Sequence, residues 1–178
     1  AWKLFYEQGY EDTTVEEIIE LSGTSKGSFY HYFDGKDALL STLSSLFDEK
    51  YEELTGLLTP EMTAMEQLLF LNRELFHMIE DSISLDLLAR LYSTQLTTNG
   101  EKHLLDHNRI YYKLLRKIIA KGQAEGQLSS RSNVNEMVKL YALCERALLY
   151  DWCLCAGEYA LTEYSAKVLP GFLSSFLP

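Results

Sequence analysis

Apolar residues along this chain recur mostly at spacings of three and four, the repeat of a helix with one face against a core. Trp2, Leu4 and Phe5, with Tyr6 beside them, give residues 1–8 an apolar side. Gly9 follows, a residue suited to the positive-φ backbone that ends helices. Thr14-Val15-Glu16-Glu17 fits a capping box, in which the Thr oxygen and the Glu carboxylate satisfy free N–H groups at a helix start; Thr13 with Glu16 fits equally. Val15, Ile18, Ile19 and Ser22 then share one face, and Gly23 closes that helix. Ser25 is the candidate N-cap of a short helix that ends at Asp34-Gly35, with Phe29 and Phe33, four apart, as its anchors.

A longer region follows. Leu39, Leu43, Leu46, Phe47, Tyr51, Leu54 and Leu58 form one stripe and predict a continuous helix over 36–58. Thr59-Pro60 breaks the chain. A helix over 61–80 is expected to turn Met65, Leu68, Leu69, Phe76 and Ile79 inward. Another is expected over 84–97, then a turn at Asn99-Gly100. A helix over 101–125 carries Leu104, Leu105, Tyr111, Leu115, Ile118 and Ile119 inward and stops at Gly126. After a polar link, residues 133–156 are apolar on more than one face. Met137, Leu140, Tyr141, Cys144, Ala147, Leu148 and Trp152 make one broad side, widened by Val138, Leu149 and Tyr150; that breadth suits a helix covered by a partner. The last helix is expected over 161–177, bent or interrupted at Pro170. The fold class is all-α.

Composition sharpens this picture in three places. Hydrophobic residues make up 47% of 178, which supports a packed globular protein. The net charge of −10 argues, taken alone, against a nucleic-acid binder. Three cysteines without a framework suggest reduced thiols and a cytoplasmic protein, and no apolar run is long enough to span a bilayer. The chain opens on Ala1 inside a helical pattern, so a natural start further upstream is expected.

The candidate chemistry lies near the N-terminus. Two short helices joined through Gly23 make a helix-turn-helix, and the second begins with its polar residues, as a helix entering the major groove does. Ser25, Lys26 and Ser28 can donate to phosphates or base edges, and Gly27 lets the backbone approach. Tyr30, His31 and Tyr32 place ring-borne donors nearby, Lys36 is expected to reach a phosphate as a point charge, and Thr14 joins them as a candidate contact. Gly9-Tyr10 before Thr13-Thr14-Val15, then Ser25-Lys26-Gly27-Ser28-Phe29-Tyr30, then Tyr32-Phe33 before Lys36-Asp37-Ala38-Leu39, resembles the head of the TetR family of transcriptional regulators. The resemblance covers roughly the first 45 residues. It implies a three-helix DNA-binding head over 1–45 and a larger helical ligand-binding and dimerising body over 46–178. It further implies a homodimeric repressor of palindromic double-stranded operators, released by an unknown small-molecule effector. One departure stands out: residues 1–40 hold three lysines against eight acids, although residues 25–32 hold no acid.

Other groupings carry less. Phe70, Phe76, Tyr92, Tyr111, Tyr112 and Trp152 are candidates for a ligand pocket, with plain core packing as the competing reading. Tyr141, Cys144, Leu148 and Trp152, with Leu169, Phe172 and Phe176, are candidates for a dimer interface. His103 and His107 are four apart, a metal-capable spacing, but only Asp106 lies near them and solvated surface is the better reading. Cys153 and Cys155, two apart, point to opposite helix faces and suit packing more than chelation. No nucleophile–base pair, paired carboxylates or metal set stands out, so no catalytic residue, metal, cofactor or membrane partner is expected. The competing functional readings are a helical dimeric adaptor that has lost DNA binding and a small helical enzyme.

Overall fold

A computed structural model describes residues 1–40, 42–97 and 102–178 of the chain. The described residues form α-helices joined by turns, with no strand among them. In order they are α1 (Trp2–Gln8), α2 (Val15–Ser22), α3 (Lys26–Tyr32), α4 (Lys36–Leu40), α5 (Leu43–Thr55), α6 (Ala64–Ser82), α7 (Leu85–Thr97), α8 (Ile110–Ala124), α9 (Val134–Leu154) and α10 (Leu161–Leu173). Short 3-10 turns lie at His103–Leu105 and Ser174–Phe176. The all-α class and the three-helix N-terminal arrangement match the expectation.

The chain forms two compact units. The first is Ala1–Leu46 with Ser82–Asp106; the second is Phe47–Asp81 with His107–Pro178. The first buries Phe5, Tyr10, Ile18, Phe29, Leu39 and Leu40 together with Leu87, Leu88 and Leu91 of α7, which packs against α4. The second is built on α6, α8, α9 and α10, with Leu68, Leu71, Phe76, Leu115, Ile119, Tyr141 and Leu161 fully or almost fully buried.

Capping explains several boundaries. Thr63 and Glu66 form a reciprocal box at the start of α6: the Glu66 carboxylate accepts from the Thr63 amide at 2.7 Å, and the Thr63 hydroxyl accepts from the Glu66 amide at 3.2 Å. Asn133 caps α9 by accepting from the Glu136 amide at 3.0 Å. The N-cap of helix α10 is Ala160, which offers no side-chain cap. Instead Glu80, from α6, accepts from the Leu161 and Thr162 amides at 2.6 and 2.9 Å. A carboxylate at a helix N-terminus meets both free N–H groups and the positive end of the dipole. At Gly122, in α8, an added Cβ would lie 2.6 Å from Ala64 Cβ and 2.9 Å from Leu128. Only glycine allows that approach, and it outweighs glycine's poor helix propensity.

Four expectations are corrected. The helix predicted over 36–58 is two helices, α4 and α5. Thr42 sends both its amide (2.9 Å) and its hydroxyl (2.6 Å) to the Leu39 carbonyl, a tight local turn that competes with the helical ladder. The helix predicted from 101 begins at Ile110, because Asp106, His107 and Asn108 are poor helix formers in succession. His103 and His107 therefore share no helix, and Leu105 is exposed. Pro170 does not interrupt α10, which runs on to Leu173. The turn expected at Asn99-Gly100 lies outside the described residues.

Candidate functional site

The N-terminal site is set by two caps and one turn. Thr14 is the cap of α2: its hydroxyl accepts from the Glu17 amide at 3.2 Å, and its own amide donates to the Glu17 carboxylate at 2.7 Å. Gly23 then adopts the left-handed conformation, φ 65°. Its amide reaches the Glu20 carbonyl, and the Thr24 amide reaches the Ile19 carbonyl, both at 3.2 Å. This paired closure ends α2 and reverses the chain within three residues. Ser25 at once caps α3, accepting from the Ser28 amide at 3.0 Å.

Of α3, Phe29 alone is buried, with Phe33 beside it at 5.6 Å between ring centroids. Ser25, Lys26, Gly27, Ser28, Tyr30, His31 and Tyr32 are all exposed. The sequence expectation thus falls on one open, hydrogen-bonding surface. Apart from its chain neighbours and the backbone of its own helix, no described atom lies within 4 Å of where a Cβ on Gly27 would sit, so no packing inside the protein requires a glycine there.

Three expected contacts are placed differently. Lys36 is turned inward. Its ammonium donates to the carbonyls of Tyr10, Glu11 and Thr13 at 2.7, 3.0 and 2.9 Å and lies over the Tyr10 ring, so all three donors are spent inside the head. The Thr14 hydroxyl is used by its cap, donating to Glu17 at 2.9 Å. Lys26 stays at the surface but is paired with Glu16 at 2.9 Å. That hydrogen bond holds the Glu16 carboxyl below its ordinary pKa. Both side chains are about two-thirds exposed, so the pair is weak and exchangeable.

Arg90 of α7 was not singled out in the sequence. It lies over the Tyr10 ring at 4.9 Å and pairs with Asp86 and Glu11. Tyr10 is thereby held between Lys36 and Arg90, with its hydroxyl on Asp37. Burial and the Asp37 bond push its phenol well above the ordinary value. Eighty residues separate Arg90 from Tyr10, and no local pattern marks the pair.

The second unit holds a buried polar chain. Glu145, on α9, accepts from Asn72 Nδ2 at 2.9 Å and from the Tyr111 hydroxyl at 2.6 Å. The Ser165 hydroxyl donates to Asn72 Oδ1 at 2.6 Å. Tyr141 donates to the Leu68 carbonyl at 2.8 Å, and the Tyr51 ring packs at a tilt against Tyr111, 5.0 Å between centroids. Desolvation raises the Glu145 pKa, and the bonds from Tyr111 and Asn72 partly oppose it. Arg109, at the start of α8, grips Asp48 of α5 through two bonds of 3.0 and 3.1 Å.

The expected pocket residues do not come together. Phe76 and Tyr111 are core, and Tyr112 is buried with its hydroxyl accepting from Arg146 at 3.3 Å. Tyr92 belongs to the first unit. Trp152 donates to the Tyr159 carbonyl at 2.9 Å and borders an open, polar depression with His77, Glu80 and Glu163. Phe70 alone of the six lines the cleft between α6 and α10, about 630 Å³ in volume, with Met62, Leu69, Asn72, Ser165 and Pro170. The expected interface residues are also corrected. Tyr141, Cys144, Leu148, Trp152, Leu169 and Phe176 are buried in the chain's own core, and Phe172 is half-buried. Helix α9 is apolar on two faces, and packing against α8 and α10 takes the one carrying these residues. The exposed stripe is Leu143, Ala147, Tyr150 and Leu154, with Tyr164 of α10 also exposed.

Comparison with known proteins gives the following. Residues 1–43 match the bacterial regulatory proteins of the tetR family. The chain is 42% identical over 60 residues to the uncharacterised HTH-type transcriptional regulator YuxN of Bacillus subtilis; the match takes in 33% of this chain and only 21% of that protein. It is 25% identical over 186 residues to the HTH-type transcriptional repressor KstR2 of Rhodococcus jostii, covering 98% of this chain and 88% of that one. In fold it matches the transcriptional regulator FadR of Bacillus subtilis, solved in complex with stearoyl-CoA, with a TM-score of 0.72 at 23% identity over 99% of this chain and 95% of that chain.

Proposed function

We propose that the chain, whose residues 1–43 match the bacterial regulatory proteins of the tetR family, is a dimeric repressor of palindromic DNA operators, released by a small-molecule effector. The observation that carries the reading is the open face of α3, where seven of eight residues from Ser25 to Tyr32 are exposed and carry donors, or leave room for the DNA backbone at Gly27. Phe29 fastens that face to the head. Few positive charges support it, so affinity rests on neutral donors and on Lys26 once Glu16 is displaced.

The test is fluorescence anisotropy with a palindromic duplex taken from upstream of the gene, at several salt concentrations. Lys26→Ala is expected to weaken binding about tenfold and to flatten the plot of log affinity against log salt by roughly one per lysine removed. Glu16→Gln is expected to strengthen binding, because it frees the same lysine. Unchanged binding in both variants would remove α3 from the DNA interface. A helical dimeric adaptor without DNA binding is the second reading, favoured by the acidic head and by Lys36 being spent internally. It requires no duplex binding at any salt.

The dimer is proposed to form through the exposed stripe of α9, since contiguous apolar surface of this kind marks an interaction site. Leu143→Glu or Tyr150→Glu should weaken self-association about thirtyfold or more in light scattering, with the far-UV helical signal retained. A variant that stays dimeric at the same concentration places the interface elsewhere. Among the described residues no helix is long and apolar enough to cross a membrane. FadR of the same fold holds stearoyl-CoA, and on that ground we read the second unit of this chain as its sensing part.

A further inference from the structure

The cleft between α6 and α10 has a volume suited to a drug-sized molecule. Its wall is apolar, formed by Met62, Leu69, Phe70, Ala166 and Pro170. Asn72 and Ser165 also line it, though they are only 3% and 1% exposed. These two side chains end a hydrogen-bond chain that has a direction. Glu145 accepts at both carboxylate oxygens, from the Tyr111 hydroxyl at 2.6 Å and from the Asn72 amide nitrogen at 2.9 Å. The amide oxygen then faces Ser165, whose hydroxyl donates to it at 2.6 Å. With that proton committed, Ser165 Oγ has only lone pairs left to offer. The buried carboxylate thus makes the cleft end of the chain an acceptor.

Charge at the lining points the same way. Glu61 and Glu66 stand there against Arg73, whose guanidinium is tied to Glu74 at 2.9 Å. An anionic head would meet carboxylates at the cleft and a third behind Asn72. We propose that this cleft is an effector site for an amphiphile with an apolar body and a hydrogen-bond-donating head, a hydroxyl or an ammonium, seated on Ser165 and Asn72. The proposal rests on the reading of the second unit as a sensor. Glu145 also accepts from Tyr111, and the Tyr111 ring packs on Tyr51 of α5, so the same chain runs from the cleft across the core of the second unit.

Isothermal titration calorimetry on the full chain with octan-1-ol, octylamine and octanoate tests this, because the three share one tail. The alcohol and the amine are expected to bind, and octanoate to bind about tenfold more weakly or not at all. Ala166→Trp, at an exposed position on the cleft wall, should abolish uptake of both by filling the space. Ser165→Ala should weaken both about tenfold and leave octanoate unchanged. Equal binding of the three probes, or full binding in Ala166→Trp, overturns the proposal. If Ser165→Ala does not fold, the head-group comparison and Ala166→Trp still decide. Duplex affinity is measured separately. Duplex binding with no uptake of alcohol or amine removes the cleft and keeps the DNA reading; uptake without duplex binding removes the DNA reading and keeps the cleft.

Discussion

Replacing Glu145 by leucine should destabilise the second unit by about 3 kcal/mol. The carboxylate is the partner of two buried donors, Asn72 Nδ2 and the Tyr111 hydroxyl, and its loss leaves both in an apolar interior. Each such orphan costs roughly 1–3 kcal/mol, and relief from burying a charge returns part of the sum. Glu145→Gln keeps the shape and one acceptor, so its cost should be smaller, and it isolates the proton. Burial raises the Glu145 pKa above the ordinary 4.5, so the folded protein holds this proton more tightly than the unfolded chain does. Its contribution to stability is full below 4.5, declines as pH rises through the folded value, and is flat above it. The wild type should therefore gain on Glu145→Gln as pH is lowered from 7 toward 4.5. Urea unfolding read by Trp152, in a Trp2→Phe background, reports on this unit. A loss under about 1 kcal/mol for the leucine variant would mean that the network contributes little.

Lys36→Met should unfold the head selectively, at a cost of about 2–3 kcal/mol. The ammonium satisfies three carbonyls of the segment between α1 and α2 and lies 4.5 Å from the Tyr10 ring centroid. Methionine preserves the stem and removes every donor. The natural reporter is Trp2, packed edge-on against Phe5 in the first unit, read in a Trp152→Phe background. Its transition should move to lower urea while that of Trp152 stays. Duplex affinity should fall in proportion to the unfolded fraction. If the Trp2 transition is unmoved while duplex affinity drops, Lys36 is a phosphate contact after all and the internal clasp is secondary.

Much of the head is legible because its determinants are local. The box at Thr14 and Glu17, the turn at Gly23 and the cap at Ser25 each need only four or five consecutive residues. The ambiguity between Thr13 and Thr14 is resolved by a tertiary fact: Thr13 is fully buried and sends its hydroxyl to the Gly9 carbonyl at 2.7 Å, which leaves Thr14 to cap. The inward placement of Lys36 is hidden for a related reason. A lysine at the start of a helix looks solvent-directed until the three carbonyls facing it are known. In α9 the apolar pattern is wide enough for two faces, and periodicity cannot tell which is taken by α8 and α10. Glu145 sits on the inward one, disguised as a surface residue in a Leu-Cys-Glu-Arg run. The pocket was not legible at all, since Asn72 and Ser165 are 93 residues apart and neither is aromatic.

The return of the chain to its first unit sets a timetable for its synthesis. Helix α7 supplies Leu87, Leu88, Leu91 and Arg90 to the unit that residues 1–46 began, and the whole of Phe47–Asp81 is made in between. At a usual rate of translation that interval is roughly a few seconds, during which Leu39 and Leu40 lack their cover and Tyr10 its second cation. A ribosome that stalls in this window releases a head without α7. Such a fragment would expose the apolar surface of Leu39 and Leu40 and suffer degradation. Interleaving the two units along the chain thus makes completion of the first wait on Phe47–Asp81, the opening segment of the second.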